Sequence, residues 1–317
     1  MSTGSAEVDA PADVDQDVAG VAPRVQGRSP WLLAWQRLRR DRVAMISLVV
    51  IVLIAVIAVI APVFAGITGH PPNQQYLQQG TTTAGLPVGP NGTFWFGADD
   101  LGRDILVRIA YGARISLGVG VAATLLTVAI GVVVGLAAGF FRGAVDTVLA
   151  RFVDVILSVP FFLVAIALVS IAGPGLTMTV LVIGAFSWAS VARIVRGQVL
   201  SIREREYVEA ARSLGATDMR IMFVDVLPNV LAQVIVYTTL LIPVVIVTQA
   251  ALSFLGLGLQ PPTADWGGMI AESQNFYQVA WWFPVFPGLA LLITTLAFNL
   301  FGDGVRDAFD PRSGRAA

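Results

Sequence analysis

Long runs of apolar residues dominate the chain from residue 43 onward. An α-helix needs about 20 apolar residues to cross a bilayer, and six runs approach or exceed that length: 43–66, 115–139, 152–172, 176–195, 230–256 and 283–302. The first run is too long for a signal-peptide core and lacks a convincing small-residue cleavage site, so we expect it to remain as a span. The pattern predicts an all-α integral membrane protein with six transmembrane helices.

A polar stretch, residues 201–228, separates the fourth and fifth runs. Ser201 and Glu204 have the spacing of a capping box, which predicts that a helix starts there. Arg205 and Glu209 would pair on the polar side of this helix. Its apolar residues recur at i, i+3, i+4 and i+7 and predict one narrow face, formed by Tyr207, Ala210, Ala211 and Leu214.

A second short helix is predicted directly after the first. Gly215 is the residue that a left-handed helix cap favours, and residues 216–218 can start a new helix. Pro228 marks the expected next boundary. The apolar face of this second helix would consist of Met219, Met222, Phe223 and Val226. The stretch therefore predicts two short amphipathic helices joined at a glycine, although a well-capped solvated loop would give the same signals.

The segment between the first two spans, residues 67–114, divides into two parts. Residues 67–95 are rich in Gly, Pro, Thr, Gln and Asn, which indicates an irregular loop. Asp99 or Asp100 can then cap a helix that continues through residues 101–110. Alternatively, Asp99, Asp100 and Asp104 form an acidic rim that meets a solute-binding protein or a cationic amino group.

Few polar residues lie within the predicted spans. Asp154 is within one turn of Arg151, so we expect an interfacial ion pair. Polar groups at membrane depth usually face a bundle interior, and the fifth span offers four candidates for a substrate pathway: Thr238, Thr239, Thr248 and Gln249. Helical hydroxyls are also often satisfied by their own backbone.

The composition excludes several classes of protein. With 56% hydrophobic and 13% charged residues among 317, the chain is too apolar for a soluble domain of this length. It has no cysteine, and His70 is its only histidine, so it lacks a histidine-based metal cluster. Every basic residue is arginine, and without lysine a Walker A loop is impossible. ATP hydrolysis would have to occur on another chain. The net charge of −1 gives no indication of nucleic-acid binding.

Arginine placement predicts the topology. If both termini are cytoplasmic, only Arg103, Arg108 and Arg114 of the 20 arginines lie outside. The polar stretch 201–228 is then cytoplasmic. The same topology gives a disordered cytoplasmic tail over 1–28, a basic amphipathic juxtamembrane helix over 29–42 and a cytoplasmic C-terminal tail over 303–317. Residues 115–302 would form a five-helix core. The juxtamembrane segment either lies on an anionic membrane face or simply orients the first span.

The motif formed by Glu209-Ala210-Ala211, Gly215 and Leu227-Pro228 resembles the EAA loop of binding-protein-dependent ABC importer permeases. Asp225 departs from a pattern that often has isoleucine there. The stretches WQRLRRDRVAMISL, FGADDLGRDILVRIAYGARISLGVG and GDGVRDAFDPR are similar to the DppC/OppC branch, which carries dipeptides, oligopeptides, nickel complexes and related small solutes. The resemblance covers nearly everything after residue 30.

The resemblance implies a type I importer permease in the bacterial inner membrane, without an ATPase site or cofactor of its own. Its partners would be a second, homologous permease subunit, an extracytoplasmic binding protein and two ATPase subunits, DppD/DppF-like or fused, which bind ATP and Mg²⁺. The loop would dock on those ATPases through Tyr207, Glu209, Ala210, Ala211, Leu214, Gly215, Met219, Met222 and Phe223. The chain would couple ATPase motion to alternating access and carry di- or oligopeptides, or alternatively nickel or another small solute.

Two alternative hypotheses assign the chain to other classes of protein. Asp154 and Asp303 faintly resemble the two aspartates of an intramembrane aspartyl protease. Asp303, however, falls at the cytoplasmic end of the sixth span beside Arg306 and Asp307, where we expect it to be solvated. A passive channel is disfavoured because the chain lacks a charged motif that could form a ring around a pore.

Overall fold

The computed structural model describes residues 30–310, and these residues form helices without a β-strand. Within the described residues, five helices are long and apolar enough to cross a membrane, and a bent pair of shorter helices supplies a sixth crossing if it counts as one span. The predicted all-α class is therefore confirmed. The N-terminal tail 1–28 and residues 311–317 of the C-terminal tail lie outside the described part.

The helices follow one another along the chain with short connections, apart from the longer segments 69–104 and 255–281. In order they are α1 (Pro30–Leu38), α2 (Arg42–Val59), α3 (Ala61–Thr68), α4 (Leu77–Gly80), α5 (Ile105–Phe140), α6 (Ala144–Ser158), α7 (Phe161–Ala172), α8 (Leu176–Ile202), α9 (Glu206–Ser213), α10 (Asp218–Arg220), α11 (Leu227–Phe254), α12 (Trp266–Glu272) and α13 (Trp282–Phe309).

The predicted juxtamembrane helix ends earlier than expected, and a new helix starts beside it. Asp41 accepts hydrogen bonds from the backbone N–H groups of Val43 and Ala44 and so caps α2. The short α1 packs against the end of α13, where Trp31 meets Phe309 edge to face. Because α13 continues to Phe309, residues 303–309 are helical instead of forming a tail.

The second span is longer than predicted because it begins outside the apolar run. Asp104, and neither Asp99 nor Asp100, caps α5 by accepting from the N–H groups of Leu106 and Val107. Asp99 instead accepts from Leu101 N and Arg103 N, which closes a turn before the helix. The helix therefore starts about one turn later than predicted. The helix predicted over residues 101–110 and the second predicted span are parts of the one continuous helix α5.

Helices α5 and α8 are in close contact along their length. A Cβ added at Gly131, Gly135 or Gly139 of α5 would fall within 3.0 Å of the facing helix. The facing side chains belong to Val191, Val195 and Val199, which follow the same four-residue spacing. Small residues at this spacing let two backbones approach closely inside a membrane. The two helices therefore form the central packed unit of the fold.

The third predicted span is broken instead of straight. Helices α6 and α7 meet at an angle of 83° at residues 159–160. Pro160 cannot donate a backbone hydrogen bond and disfavours helical geometry at Val159, which explains the break. Asp154 of α6 pairs with Arg193 of α8 at 2.8 Å, and the expected pair with Arg151 is thereby corrected.

The second insert helix continues into the fifth span. After α10, residues 221–226 form a π-helix that leads directly into α11. The expected boundary at Pro228 lies one residue from the change of π-helix to α-helix at Leu227, but the chain stays helical across it. A proline ring clashes with the carbonyl four residues back in a regular α-helix, and here Pro228 follows the wider π turn. Asn229 Nδ2 donates to the Asp225 carbonyl at 2.7 Å beside it.

Candidate functional site

The two-helix insert predicted from the sequence begins later than the capping box indicates. Ser201 lies inside α8, and α9 starts at Glu206 without a side-chain cap. Burial of Val199 and Ile202 holds the end of α8 in helical form past the serine. Glu204 instead turns to two arginines: it contacts Arg142 and lies 3.5 Å from Arg203 Nε.

Helix α9 has two apolar sides instead of one. Val208 is fully buried, and Ala211 packs beside it against the main core. Tyr207, Ala210 and Leu214 point away from that core, and Leu214 is 88% exposed. The predicted four-residue face is therefore corrected, because Ala211 lies on the inward side.

Gly215 ends α9 as predicted. Its φ is +83°, in the left-handed region that favours glycine. The N–H of Gly215 donates to the Arg212 carbonyl, and the N–H of Ala216 donates to the Ala211 carbonyl, which is the Schellman pattern. Thr217 then caps α10 by accepting from Arg220 N. The left-handed cap and the new helix start are both confirmed.

The segment after the glycine repeats the division into two sides. Met222 and Val226 are buried, whereas Met219 and Phe223 are 58% and 55% exposed. Met222 and Val226 thus also leave the predicted face. The remaining apolar side chains define what we call the outward patch: Tyr207, Ala210, Leu214, Met219 and Phe223. Glu209 and Gly215 are exposed beside it. A cluster of exposed apolar side chains with charged neighbours is typical of a protein-binding surface.

A cluster of charged side chains lies at the start of α5, at the end of that helix far from the two-helix insert. It joins α5 to the loop before it and to α12. Arg103 Nε is 2.5 Å from Asp99 Oδ2, and Arg103 Nη2 is 2.9 Å from Glu272 Oε2. Arg108 reaches the same two carboxylates at 3.3 and 3.2 Å. Burial raises the pKa values of Asp100 and Glu272 above their ordinary range. We call Asp99, Asp100, Arg103, Arg108 and Glu272 the ion cluster.

The positive charges of the ion cluster are the guanidinium groups of its two arginines. The carboxylates of Asp99, Asp100 and Glu272 are close enough to one another to hold a metal ion. The guanidinium groups of Arg103 and Arg108 already contact two of them, and Arg103 Nη2 lies 3.8 Å from Asp100. An arginine fork satisfies carboxylates with several donors at once. The arrangement is thus a structural ion network joining α5 to α12.

The predicted acidic rim does not form as a surface. Asp99 and Asp104 are fully buried, and of the three carboxylates only Asp100 is partly exposed. Asp104 Oδ2 lies 2.9 Å from Nδ1 of His70, whose ring stacks on Phe94. The rim hypothesis is corrected because these carboxylates are used inside the fold.

The four pathway candidates do not converge on one polar surface. The hydroxyls of Thr238, Thr239 and Thr248 each donate to a carbonyl of their own helix. Gln249 is fully buried and donates to Ser253 Oγ and Asp265 Oδ1. Their role in a pathway stays a prediction.

Two residues that the sequence pattern did not single out tie the segment 255–281 to the spans. Asp265 is buried and caps α12 by accepting from Gly268 N. Glu272 closes the ion cluster. An aspartate three residues before a glycine and followed by tryptophan was a usable cap signal for Asp265, whereas nothing local to Glu272 indicated its partners.

Two protein-family models match this chain. The family described as the binding-protein-dependent transport system inner membrane component matches residues 131–315. The chain belongs to this family. A second match, to the N-terminal TM domain of oligopeptide transport permease C, covers residues 29–83 of the permease. The expected resemblance and the multi-pass inner-membrane character are thereby confirmed.

Named relatives cover most of the permease. The di/tripeptide transport system permease protein DppC of Pseudomonas aeruginosa is 41% identical over 251 residues, 79% of this chain and 83% of that protein. DppC of Alkalihalophilus pseudofirmus, a dipeptide permease, is 39% identical over 284 residues, 90% of each chain. The glutathione permease GsiD of Pectobacterium atrosepticum is 44% identical over 227 residues, 72% of this chain and 75% of that protein.

A solved structure shows the same fold. The inward-facing MetNI methionine ABC transporter matches with a TM-score of 0.54 and 20% identity, over 63% of this chain and 96% of that one. The family and this fold confirm the expected permease subunit, whose ATPase is a separate chain. The intramembrane protease hypothesis has no support, and both of its aspartates, Asp154 and Asp303, are exposed.

Proposed function

We propose that this permease is one of two membrane subunits of an ATP-driven importer and that its outward patch docks on an ATPase subunit. The observation that carries the proposal is the exposure of Leu214, Met219 and Phe223 on helices whose other side is anchored in the core. Apolar side chains of this size are stabilised when a partner covers them. The partner ATPases bind ATP and Mg²⁺, and this chain carries neither.

We also propose that the solute is a di- or oligopeptide. Relatives named for dipeptide, di/tripeptide and glutathione transport support this class, since each of those solutes is a short peptide or a peptide-like molecule. A binding protein would deliver the solute to the outer mouth, and the second, homologous permease subunit would complete the pathway between the two chains.

The proposed topology has both termini in the cytoplasm. It requires α6 and α7 to cross the membrane as one bent span, which gives six crossings. The arginine asymmetry supports this orientation. It places the outward patch in the cytoplasm, where an ATPase can reach it, and the ion cluster at the outer face.

The experiment is reconstitution of the complete complex in proteoliposomes with ATP at the ATPase side and the binding protein at the other. We expect uptake of a labelled dipeptide that requires ATP, the binding protein and this chain. A complex that lacks the binding protein is the matched control. Uptake that proceeds equally without ATP, or a binding protein that retains no peptide of any length, would contradict the proposal.

A further inference from the structure

The side chain of Arg203 lies at the junction between α8 and the cytoplasmic insert. It is only 6% exposed. Its Nη1 donates to the carbonyl oxygens of Gly139 at 2.9 Å and Phe140 at 2.7 Å, the last two residues of α5. The final carbonyls of a helix have no partner within the helix and carry partial negative charge. A buried guanidinium therefore holds the end of α5 with charge-assisted hydrogen bonds.

Several connections tie the insert to the transmembrane helices, and two of them meet at Arg203. One is covalent, because α8 ends at Ile202 and α9 begins at Glu206, three residues after Arg203. The other is the contact from Arg203 to α5. The close packing of α5 on α8 ends near the same level, since Gly139 lies against Val199. The end of α5 and the start of the insert are therefore held as one unit.

The opposite end of α5 carries the ion cluster. Asp104 caps its first turn, and Arg108 contacts Asp99 and Glu272, the last of which belongs to α12. With 36 residues, α5 is about 54 Å long at the usual rise per residue. A single continuous helix thus joins the insert to the external loop segments.

We propose that Arg203 is a positioning residue that makes α5 move together with the cytoplasmic insert, so that ATPase motion reaches the ion cluster. The inference rests on the proposed function. Without the guanidinium, α9 would still follow α8 through the backbone and α5 would still pack on α8, but the last carbonyls of α5 would lose their hydrogen bonds to the start of the insert. The consequence is a loss of coupling, which a residue that only caps a helix would not produce.

The test compares Arg203→Gln and Arg203→Lys with Arg205→Gln, an exposed arginine two residues further on. The reconstituted complex with its binding protein and a radiolabelled dipeptide is assayed for both uptake and ATP hydrolysis. We expect Arg203→Gln to lower uptake per ATP by about tenfold, within the range typical of coupling between sites. Uptake per ATP of Arg203→Lys should lie between that of Arg203→Gln and that of the unaltered chain, because the point charge of lysine on a flexible side chain cannot reproduce the planar guanidinium group. Arg205→Gln should leave the ratio unchanged.

A rescue experiment separates coupling from local stability. Arg142 and Glu204 are exposed and in contact across the same junction. Cysteines at these two positions of the cysteine-free chain, joined by a short bifunctional reagent, should restore the ratio in the Arg203→Gln background.

An unchanged ratio in an assembled Arg203→Gln complex would overturn the inference. If that variant fails to assemble, an unaltered ratio in Arg203→Lys would overturn it equally, and a lowered ratio would support it. Failure of the proposed function is distinguishable, because the unaltered complex would then show no ATP-dependent uptake of the dipeptide.

Discussion

Glu272 and Arg108 are 164 residues apart in the chain, and their side chains meet with Oε2 3.2 Å from Nη2. This contact joins the short helix α12 to the first turn of α5. The same carboxylate oxygen lies 2.9 Å from Arg103, so one carboxylate pairs with two buried arginines, and Asp99 contacts both of them as well. Removing a partner from a buried ion pair leaves an uncompensated charge, and its cost exceeds what the pair contributes.

Glu272→Gln is therefore expected to lower the free energy of unfolding by about 2 kcal/mol. The measurement is the thermal unfolding midpoint of the purified permease in detergent. Asp100→Asn serves as the control, because Asp100 is further from Arg103, at 3.8 Å, and more exposed. Equal midpoints for the two variants would show that Glu272 does not hold the cluster together.

The ionisation of Asp265 should make the stability of the fold depend on pH. Burial raises the pKa of its carboxyl above the ordinary 3.8. A raised pKa means that the folded state binds the proton more tightly than the unfolded state does. The stabilisation is thus complete below the unfolded pKa and is lost as pH rises through the folded pKa.

Asp265→Asn keeps an oxygen that can accept from Gly268 N and removes this ionisation. The unfolding midpoint of the unaltered chain should fall relative to Asp265→Asn as pH increases above about 4. Because other carboxyls titrate in both proteins, the difference between the two curves isolates Asp265. A difference that does not change with pH would refute this assignment.

Gly215 fixes the angle between α9 and the helix that continues into α11. A Cβ at this position would meet open space, so only the positive φ opposes a side chain. Gly215→Val should cost about 1 kcal/mol or more and leave ATP hydrolysis with little solute uptake. Asparagine tolerates the left-handed region better than other side chains, so Gly215→Asn should retain more uptake per ATP. If uptake per ATP were unaltered in both variants, Gly215 would only end α9 and would not be needed for coupling.

Sequence patterns located the insert and its glycine because the signals there are local. The cap at Gly215 and the start at Thr217 depend only on neighbouring backbone groups. The helix start predicted at Ser201 is wrong because burial of Ile202 stabilises the continuation of α8 more than a capping box at Ser201 would stabilise a new helix. The helix start predicted at Asp99 or Asp100 is wrong because the Asp99 carboxylate closes a turn with Leu101 N and Arg103 N and also pairs with Arg108, which lies inside α5. Periodicity predicted apolar faces but not that Ala211 and Met222 would turn to the core.

Topology can be measured directly because the chain has no cysteine. We expect Asp218→Cys to react with an impermeant thiol reagent only after the membrane is opened. Gln75→Cys, in the exposed segment between α3 and α4, should react in intact cells. Labelling of position 218 from outside would invert the proposed orientation.

Docking of the outward patch on an ATPase is the central claim, and cross-linking from Leu214 tests it most directly. A photoreactive residue at position 214 is solvent-exposed, whereas the same residue at Val208 would be buried beside it and serves as the control. Illumination of the assembled complex should join position 214 to the ATPase subunit, and position 208 should give no such product. An assembled, transporting complex in which position 214 yields no ATPase adduct would contradict the account.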